Sequence, residues 1–275
     1  MLLPLGYEYI IIGDVHACID ELKSLLIKQG FLIKDNLLEV TPQSENKSII
    51  LLGDFVDKGN DEKLTQTIEF IYANYYHLNQ ERQRFYLIEG NHENMVYRYI
   101  THDDTLLITP KTIANKEKYY NTVALLEKTP PLKKLFLELY EVLHPYLYYQ
   151  YDENFSVTLS HAPCEEQYLR LNSTEGKKKM IKSISRSKNP TMPLDELMPY
   201  LLQEAVDNEH YHIFGHLSQA NIRRYKNKIC VDTSAIYGVE LSCAIVKNDQ
   251  LTFDSVPFEN KQKKGTQDYN TLFDF

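Results

Sequence analysis

The sequence predicts one α/β domain, and three observations carry that expectation. Short apolar runs recur along the chain, amphipathic helical patterns separate the early ones, and nearly every run ends in Asp, Asn or His. At 275 residues the chain is long enough to bury a continuous core. No internal repeat or linker divides it.

The runs read as strands at 7–14 (YEYIIIGD), 48–54 (SIILLGD), 84–91 (RFYLIEGN) and 155–162 (FSVTLSHA). Two more follow at 210–216 (HYHIFGH) and 228–235 (KICVDTSA), then SCAIVKND. The first three are short, rich in Ile and Leu and without clean alternation, as strands buried on both faces should be. Between them, IDELKSLLIKQG places Ile19, Leu22, Leu25 and Leu26 on one helical face, with acids in the first turn and Gly30 as a stop. DEKLTQTIEFIYANYY does the same with Leu64, Ile68, Ile71 and Tyr75. Residues 93–150 read as mostly helical, and 172–195 (NSTEGKKKMIKSISRSKNPTMPLD) as a polar, basic loop or cap. The domain is expected to span 1–257, with 258–275 a polar C-terminal tail.

Composition narrows the function. Hydrophobic residues make up 43% and charged residues 25%, which is ordinary for a globular protein. A net charge of −8 argues against a general nucleic-acid binder. The four cysteines, Cys18, Cys164, Cys230 and Cys243, form no CxxC pair, so neither a disulfide framework nor a thiolate zinc site is expected. The opening MLLPLGYEYIIIGD lacks a basic leader and cleavage site, and no run approaches the roughly 20 apolar residues of a membrane span. A cytoplasmic location follows as the expectation, with export to a host cell left open. Nothing here bears on oligomeric state.

The strand ends carry the chemistry. Asp14 and His16 stand in GDVH, Asp54 in GD, Asn91 and His92 in GNHE, His161 in SHA and His216 in GH. In α/β sheets, catalytic groups gather outside the carboxyl ends of strands. Asp14 and His16 are two apart, so in an extended segment both point to one side. The glycines before Asp14, Asp54, Asn91 and His216 allow sharp turns and close approach. A lone GD is ordinarily a turn and a lone strand-end His ordinarily structural. Six such sites, each after an apolar run, reverse that reading. Carboxylate, amide oxygen and imidazole together suit Mn, Fe or Zn. Two such cations sharing a carboxylate would clamp an in-line displacement at a phosphorus ester.

These residues resemble the calcineurin-like metallophosphoesterases, within them the PPP-type phosphatases and bacterial diadenosine-tetraphosphate hydrolases. The family's GDxHG, GDxVDRG, GNHE, HAG or HGG, and GH appear in order as GDVHA (13–17), GDFVDKG (53–59), GNHE (90–93), SHAP (160–163) and FGHL (214–217). The resemblance implies a central β-sandwich flanked by helices, with metals at the strand carboxyl ends. It implies two divalent cations, Mn2+ foremost, with Fe or Zn also compatible. Asp14 and His16 would hold the first, Asp54 would bridge, and Asn91, His161 and His216 would complete the second. His92, oriented by Asp57, would protonate the leaving oxygen after attack by metal-activated hydroxide.

Lys58 stands where the family has a phosphate-gripping Arg and supplies a point charge instead of a fork. Asn91 would also touch phosphate. Arg186 in the basic loop and Arg223 are candidates for a second phosphate-binding cation. Asp232 is expected to support the His216 side by hydrogen bonding, Glu93 to brace the site, and Tyr237 either to line the site or to pack. Ala17 and Pro163 replace family glycines.

The first functional expectation is a phosphomonoesterase acting on phosphoproteins, of Ser/Thr or Tyr type. The alternative is bis(5'-nucleosyl)-tetraphosphate hydrolysis, with a base-stacking wall built by 93–150. An RNA-end phosphatase and a non-catalytic phospho-binding scaffold rank lower, the scaffold because every proposed ligand is present. The partner is a phosphorylated substrate, protein or nucleotide, and no membrane.

Overall fold

A computed structural model describes residues 1–103, 110–182, 199 and 202–259. The first third of the chain runs β1 (Glu8–Ile12), α1 (Ile19–Lys28), the hairpin of β2 (Leu32–Lys34) and β3 (Leu37–Glu39), β4 (Lys47–Leu51), α2 (Asp61–Leu78) and β5 (Phe85–Leu87). Four helices follow: α3 (Asn91–Ile100), α4 (Pro110–Tyr119), α5 (Asn121–Lys128) and α6 (Pro130–Glu141). The remainder comprises β6 (Leu147–Gln150), β7 (Ser156–Leu159), α7 (Thr174–Ile181), β8 (His210–Phe214), β9 (Arg223–Tyr225), β10 (Lys228–Cys230), β11 (Glu240–Lys247) and β12 (Gln250–Pro257).

Two five-stranded sheets result, ordered β12-β11-β1-β4-β5 and β6-β7-β8-β10-β9. In the first, β1, β4 and β5 are parallel; in the second, β7, β8 and β10 are parallel. Strand alternation sorts the apolar residues into two layers. Tyr9, Ile11, Ile50, Leu52 and Tyr86 of the first sheet meet Tyr149, Val157, Leu159, Ile213 and Ile229 of the second in the sandwich interior. Ile10, Ile12, Ile49, Leu51, Phe85 and Leu87 face the other way, onto α1, α2, α3, α5 and α6. The first three strands therefore lack polar alternation because one face meets a sheet and the other meets helices. Their Ile and Leu content follows from that double burial.

Helix signals act where expected. Ile19, Leu22, Leu25 and Leu26 are buried, and Asn60 caps α2 by accepting from the Lys63 amide at 2.8 Å. Residues 93–150 are mostly helical, but Leu147–Gln150 forms β6, pairing antiparallel with β7. Within 172–195, residues Thr174–Ile181 form α7, capped by the Ser173 hydroxyl, which accepts from the Gly176 amide. The rest of that stretch, including Arg186, lies outside the described residues, as does the tail beyond Glu259. Among the described residues no helix is long and apolar enough to cross a membrane.

Because the parallel strands of each sheet share a direction, their carboxyl ends line one edge of the sandwich. The segments after β1, β4, β5, β7, β8 and β10 all emerge there.

The interior layer should respond to cavity formation. Ile50, fully buried between the sheets, is expected to cost ~2–5 kcal/mol when replaced by Ala, read by denaturant unfolding. A loss below ~1 kcal/mol would contradict the packing described.

Candidate active site

Past Ile12 the backbone leaves the extended form. His16 and Ala17 have φ of 39° and 60°, so Asp14 and His16 do not alternate along a strand as expected. Instead, the amides of Val15 and His16 donate to the Asp54 carbonyl at 3.2 and 2.8 Å, tying this turn to the one after β4. Asp54, Asp57, Lys58 and His216 are left-handed too, with φ of 49°, 65°, 64° and 67°. Much of the sharp turning thus falls to functional residues themselves. Gly215 and Gly90 serve close approach: a Cβ at Gly215 would overlap Asp14 Oδ1, and one at Gly90 would overlap Asp54.

Asp54 is the centre. Its Oδ2 lies 3.5 Å from His16 Nε2, 3.4 Å from His161 Nε2 and 3.9 Å from His92 Nε2. Its Oδ1 accepts from the His92 amide at 3.0 Å. Asn91 Oδ1 lies 3.0 Å from His161 Nε2 and 2.9 Å from His216 Nδ1. Two sets of donor atoms, His16, Asp54 and His92, and Asp54, His161 and His216, are each gathered within 4.8 Å and share Asp54. Asp14 joins these through the backbone: its carboxylate accepts from the His216 amide at 3.0 and 3.2 Å.

Hydrogen bonding sets the tautomers. His16 Nδ1 lies 2.7 Å from the Val56 carbonyl, and His161 Nδ1 lies 2.8 Å from the Leu52 carbonyl. A carbonyl only accepts, so both Nδ1 atoms carry hydrogen and both Nε2 atoms face Asp54. Burial holds His16 well below the usual imidazole range, with the Lys58 charge adding to it. Burial opposes charge on His161 as well, but the Asp54 and Asp14 carboxylates outweigh it and lift its pKa to about 10. Burial alone would raise Asp54, yet the imidazoles of His161, His92 and His16 hold it well below the carboxylate range. Asp14 is pushed well above that range by burial and by the Asp232 charge. Imidazole nitrogens, carboxylates and an amide oxygen converging here fit divalent cations of the Mn, Fe or Zn kind.

The supporting residues divide cleanly. The fully buried Glu93 carboxylate accepts from the amides of Asp54 (2.7 Å), Phe55 (2.8 Å), Val56 (3.2 Å) and Gly90 (3.1 Å). Burial and the Asp54 charge push its pKa to about 8, while the amides pull it back toward the ionised form. His92 Nδ1 meets Asp57 Oδ2 at 2.7 Å. Lys58 Nζ stands 5.5 Å from the Tyr237 ring centroid. Burial works against its charge, but Tyr237, Asp54, Asp232 and Asp14 raise its pKa. Asp232 accepts from the Ser234 amide at 3.1 Å and sits beside Asp14. Arg223, offered as a phosphate-binding candidate, instead donates to the carbonyls of Leu217 and Asp232 and clamps the loop behind His216.

Three contributors were not expected from the sequence. The Asp57 amide donates to the Thr122 hydroxyl at 2.9 Å, and the Thr122 amide donates back to Asp57 Oδ1 at 2.9 Å. Asn121 accepts from the Lys58 amide and donates to the Gly59 carbonyl. The Tyr120 ring lies 5.3 Å from the His92 ring. An Asn-Thr pair opening a helix was the available signal, and it reads locally as a cap.

Two clusters of potential ligands sharing Asp54 at the edge of a β-sandwich have the donor set of a metallophosphoesterase. Residues 8–219 match the calcineurin-like phosphoesterase family, and the chain belongs to that family. Among curated relatives, the bis(5'-nucleosyl)-tetraphosphatase PrpE [asymmetrical] of Oceanobacillus iheyensis is 29% identical over 238 residues, covering 84% of this chain and 86% of that protein. The PrpE protein of Bacillus subtilis is 23% identical over 236 residues, covering 85% and 88%. A crystal structure described as a candidate diadenosine tetraphosphatase superposes with a TM-score of 0.57 at 17% identity, covering 94% of this chain and 98% of that one. The cold-active protein-tyrosine phosphatase of a psychrophilic Shewanella superposes at 0.54 and 18% identity, covering 93% and 83%. Both superpositions show the fold.

A cation at His161 Nε2 would compete with a proton. With its pKa lifted to about 10, His161 carries that proton at pH 7.5 and would have to lose it to bind a cation. Mn2+ binding is therefore expected to release about one proton at this site and to strengthen as pH rises toward 10. Calorimetry in buffers of different ionisation enthalpy reads the release directly; buffer-independent heats would refute the competition.

Proposed function

We propose that this metallophosphoesterase cleaves dinucleoside tetraphosphates asymmetrically, into a nucleoside triphosphate and a monophosphate. The observation that carries the reading is the likeness to tetraphosphatases over 84% of the chain. The phosphoprotein expectation draws support from tyrosine phosphatases at the level of fold alone, so the alternative ranks above it. The four free, buried cysteines support a reducing, cytoplasmic setting.

Asp14, His16 and Asp54 would hold one cation, and Asp54, Asn91, His161 and His216 the other, with Mn2+ the preferred pair. When bound, such a pair supplies positive charge to phosphoryl oxygens and acidifies water. The chain's own residues do the rest. Asp57 accepts from His92 Nδ1–H, which fixes the ring and leaves Nε2 toward the cleft to protonate the departing phosphate oxygen. Nε2 of His92 falls within the first group of donor atoms, but it stands 3.9 Å from Asp54 Oδ2, farther than the 3.5 and 3.4 Å of His16 and His161, and the acid's role is the one the family resemblance gives it. Lys58 keeps its charge and meets a non-bridging oxygen as a point charge. Tyr120, its ring 5.3 Å from that of His92, would offer an aromatic face to a base of the leaving nucleotide.

The test is product analysis. Purified protein with Mn2+ and diadenosine tetraphosphate should yield equal ATP and AMP by anion-exchange chromatography. Two equivalents of ADP, or rapid phosphate release from phosphopeptides with the dinucleotide untouched, would overturn the assignment. Asp54→Asn should lower turnover by roughly a thousandfold or more while circular dichroism stays native. Near wild-type turnover in that variant would sink the mechanism.

A further inference from the structure

The outer face of the second sheet, turned away from the sandwich interior, carries a sealed row of polar side chains. Ser160, just past β7, is 0% exposed, His212 of β8 is 1% and Lys228 of β10 is 2%. Lys228 stands opposite His212 in the parallel register. Lys228 Nζ lies 3.3 Å from His212 Nδ1 and 3.4 Å from Glu166 Oε2. His212 Nε2 lies 2.7 Å from Ser160 Oγ, and the Ser160 hydroxyl donates to the Ala162 carbonyl at 2.8 Å.

The direction of this chain is fixed by chemistry. An ammonium only donates, so His212 Nδ1 must be the bare nitrogen and Nε2 must carry the hydrogen. That hydrogen goes to Ser160 Oγ, whose own proton is committed to the Ala162 carbonyl. Burial and the adjacent Lys228 charge hold His212 well below the usual range, so it stays neutral and the polarity persists. The last two members of the chain, Ser160 and Ala162, flank His161.

We propose that Ser160, His212 and Lys228 are positioning residues, forming a one-way hydrogen-bond chain that locks the 160–162 turn and aims His161 Nε2 into the cleft. This rests on His161 as a cation ligand. Burying an ammonium is costly without strong partners, and a turn needing only mechanical support could be held by neutral groups. On the same strand face, Ser156 Oγ pairs with His210 Nδ1 at 2.9 Å, remote from the cleft.

That second pair is the control. Mn2+ titration of the full chain, followed by electron paramagnetic resonance, should show two bound equivalents in the wild type. Ser160→Ala is expected to weaken one of them by about tenfold to a hundredfold and leave the other unchanged, whereas Ser156→Ala should change neither. A folded Ser160→Ala protein titrating like wild type would overturn the proposal. So would an equal loss in Ser156→Ala, which would mark a general effect of destabilising the sheet. Long-range 15N–1H spectra of the metal-free protein supply a second readout, with the His212 signals assigned by their disappearance in His212→Gln. Hydrogen on Nε2 supports the chain, and hydrogen on Nδ1 refutes it. A wild type that takes up no Mn2+ would remove the reading of His161 itself and this inference with it, a failure distinct from that of Ser160→Ala alone.

Discussion

Everything at this edge of the molecule is arranged around one buried negative charge. Asp54 is 2% exposed, and an uncompensated carboxylate there would be prohibitively costly. The fold compensates it from both sheets at once: His16 arrives from the turn after β1, His92 from the start of α3 and His161 from the turn after β7. Glu93 then fixes the loop that carries Asp54 by gathering its backbone amides. The sandwich and the site are thus coupled, because the two sheets must stay in register for imidazoles of one to reach the carboxylate of the other.

That coupling explains what was legible in the sequence. Each turn of the site is a local pattern, an apolar run ending in a short polar motif, so Asp14, His16, Asp54, Asn91, His92, His161 and His216 could be picked out singly. The strands that were missed differ in kind. β2, β3 and β9 are three residues long with mixed exposure, and β12 is largely exposed. Their identity comes from a pairing partner, and pairing is a long-range property. β6 was absorbed into a helical reading for the same reason: LYYQ becomes a strand because Val157 and Leu159 lie alongside it. Among the supporting residues, the reciprocal bonds between Asp57 and Thr122 join positions 65 residues apart. No spacing rule could find them.

The division between shared chemistry and substrate choice follows the same lines. Under the proposed function, Asp54 and its imidazoles act at the phosphoryl centre alone and would treat one such centre much like another. Discrimination must come from groups that meet the rest of the substrate. Lys58, if it meets phosphate as proposed, would matter here, since an ammonium grips a phosphoryl oxygen without dictating its orientation. Orientation would then fall to neighbouring surfaces, among them the rings of Tyr237, 5.5 Å from Lys58 Nζ, and Tyr120, 5.3 Å from the His92 ring. Under the proposed function, those aromatic faces would meet the bases of a dinucleotide while Lys58 meets its phosphate.

Strain is the remaining constraint, and it explains why so many bonds converge on so few turns. His16, Asp54, Asp57, Lys58 and His216 all occupy left-handed backbone positions, each costing on the order of 1–3 kcal/mol relative to glycine. Glycine would remove the strain and the side chain together. The alternative is to hold each turn so firmly that the strained form is the only one available. The His16 amide is held by the Asp54 carbonyl, the Asp54 amide by Glu93, the Asp57 and Lys58 amides by Thr122 and Asn121, and the His216 amide by Asp14. Each of these anchors comes from a different stretch of chain than the turn it holds. Local sequence would let these turns relax, and it is the closed sandwich that keeps them strained and their side chains convergent.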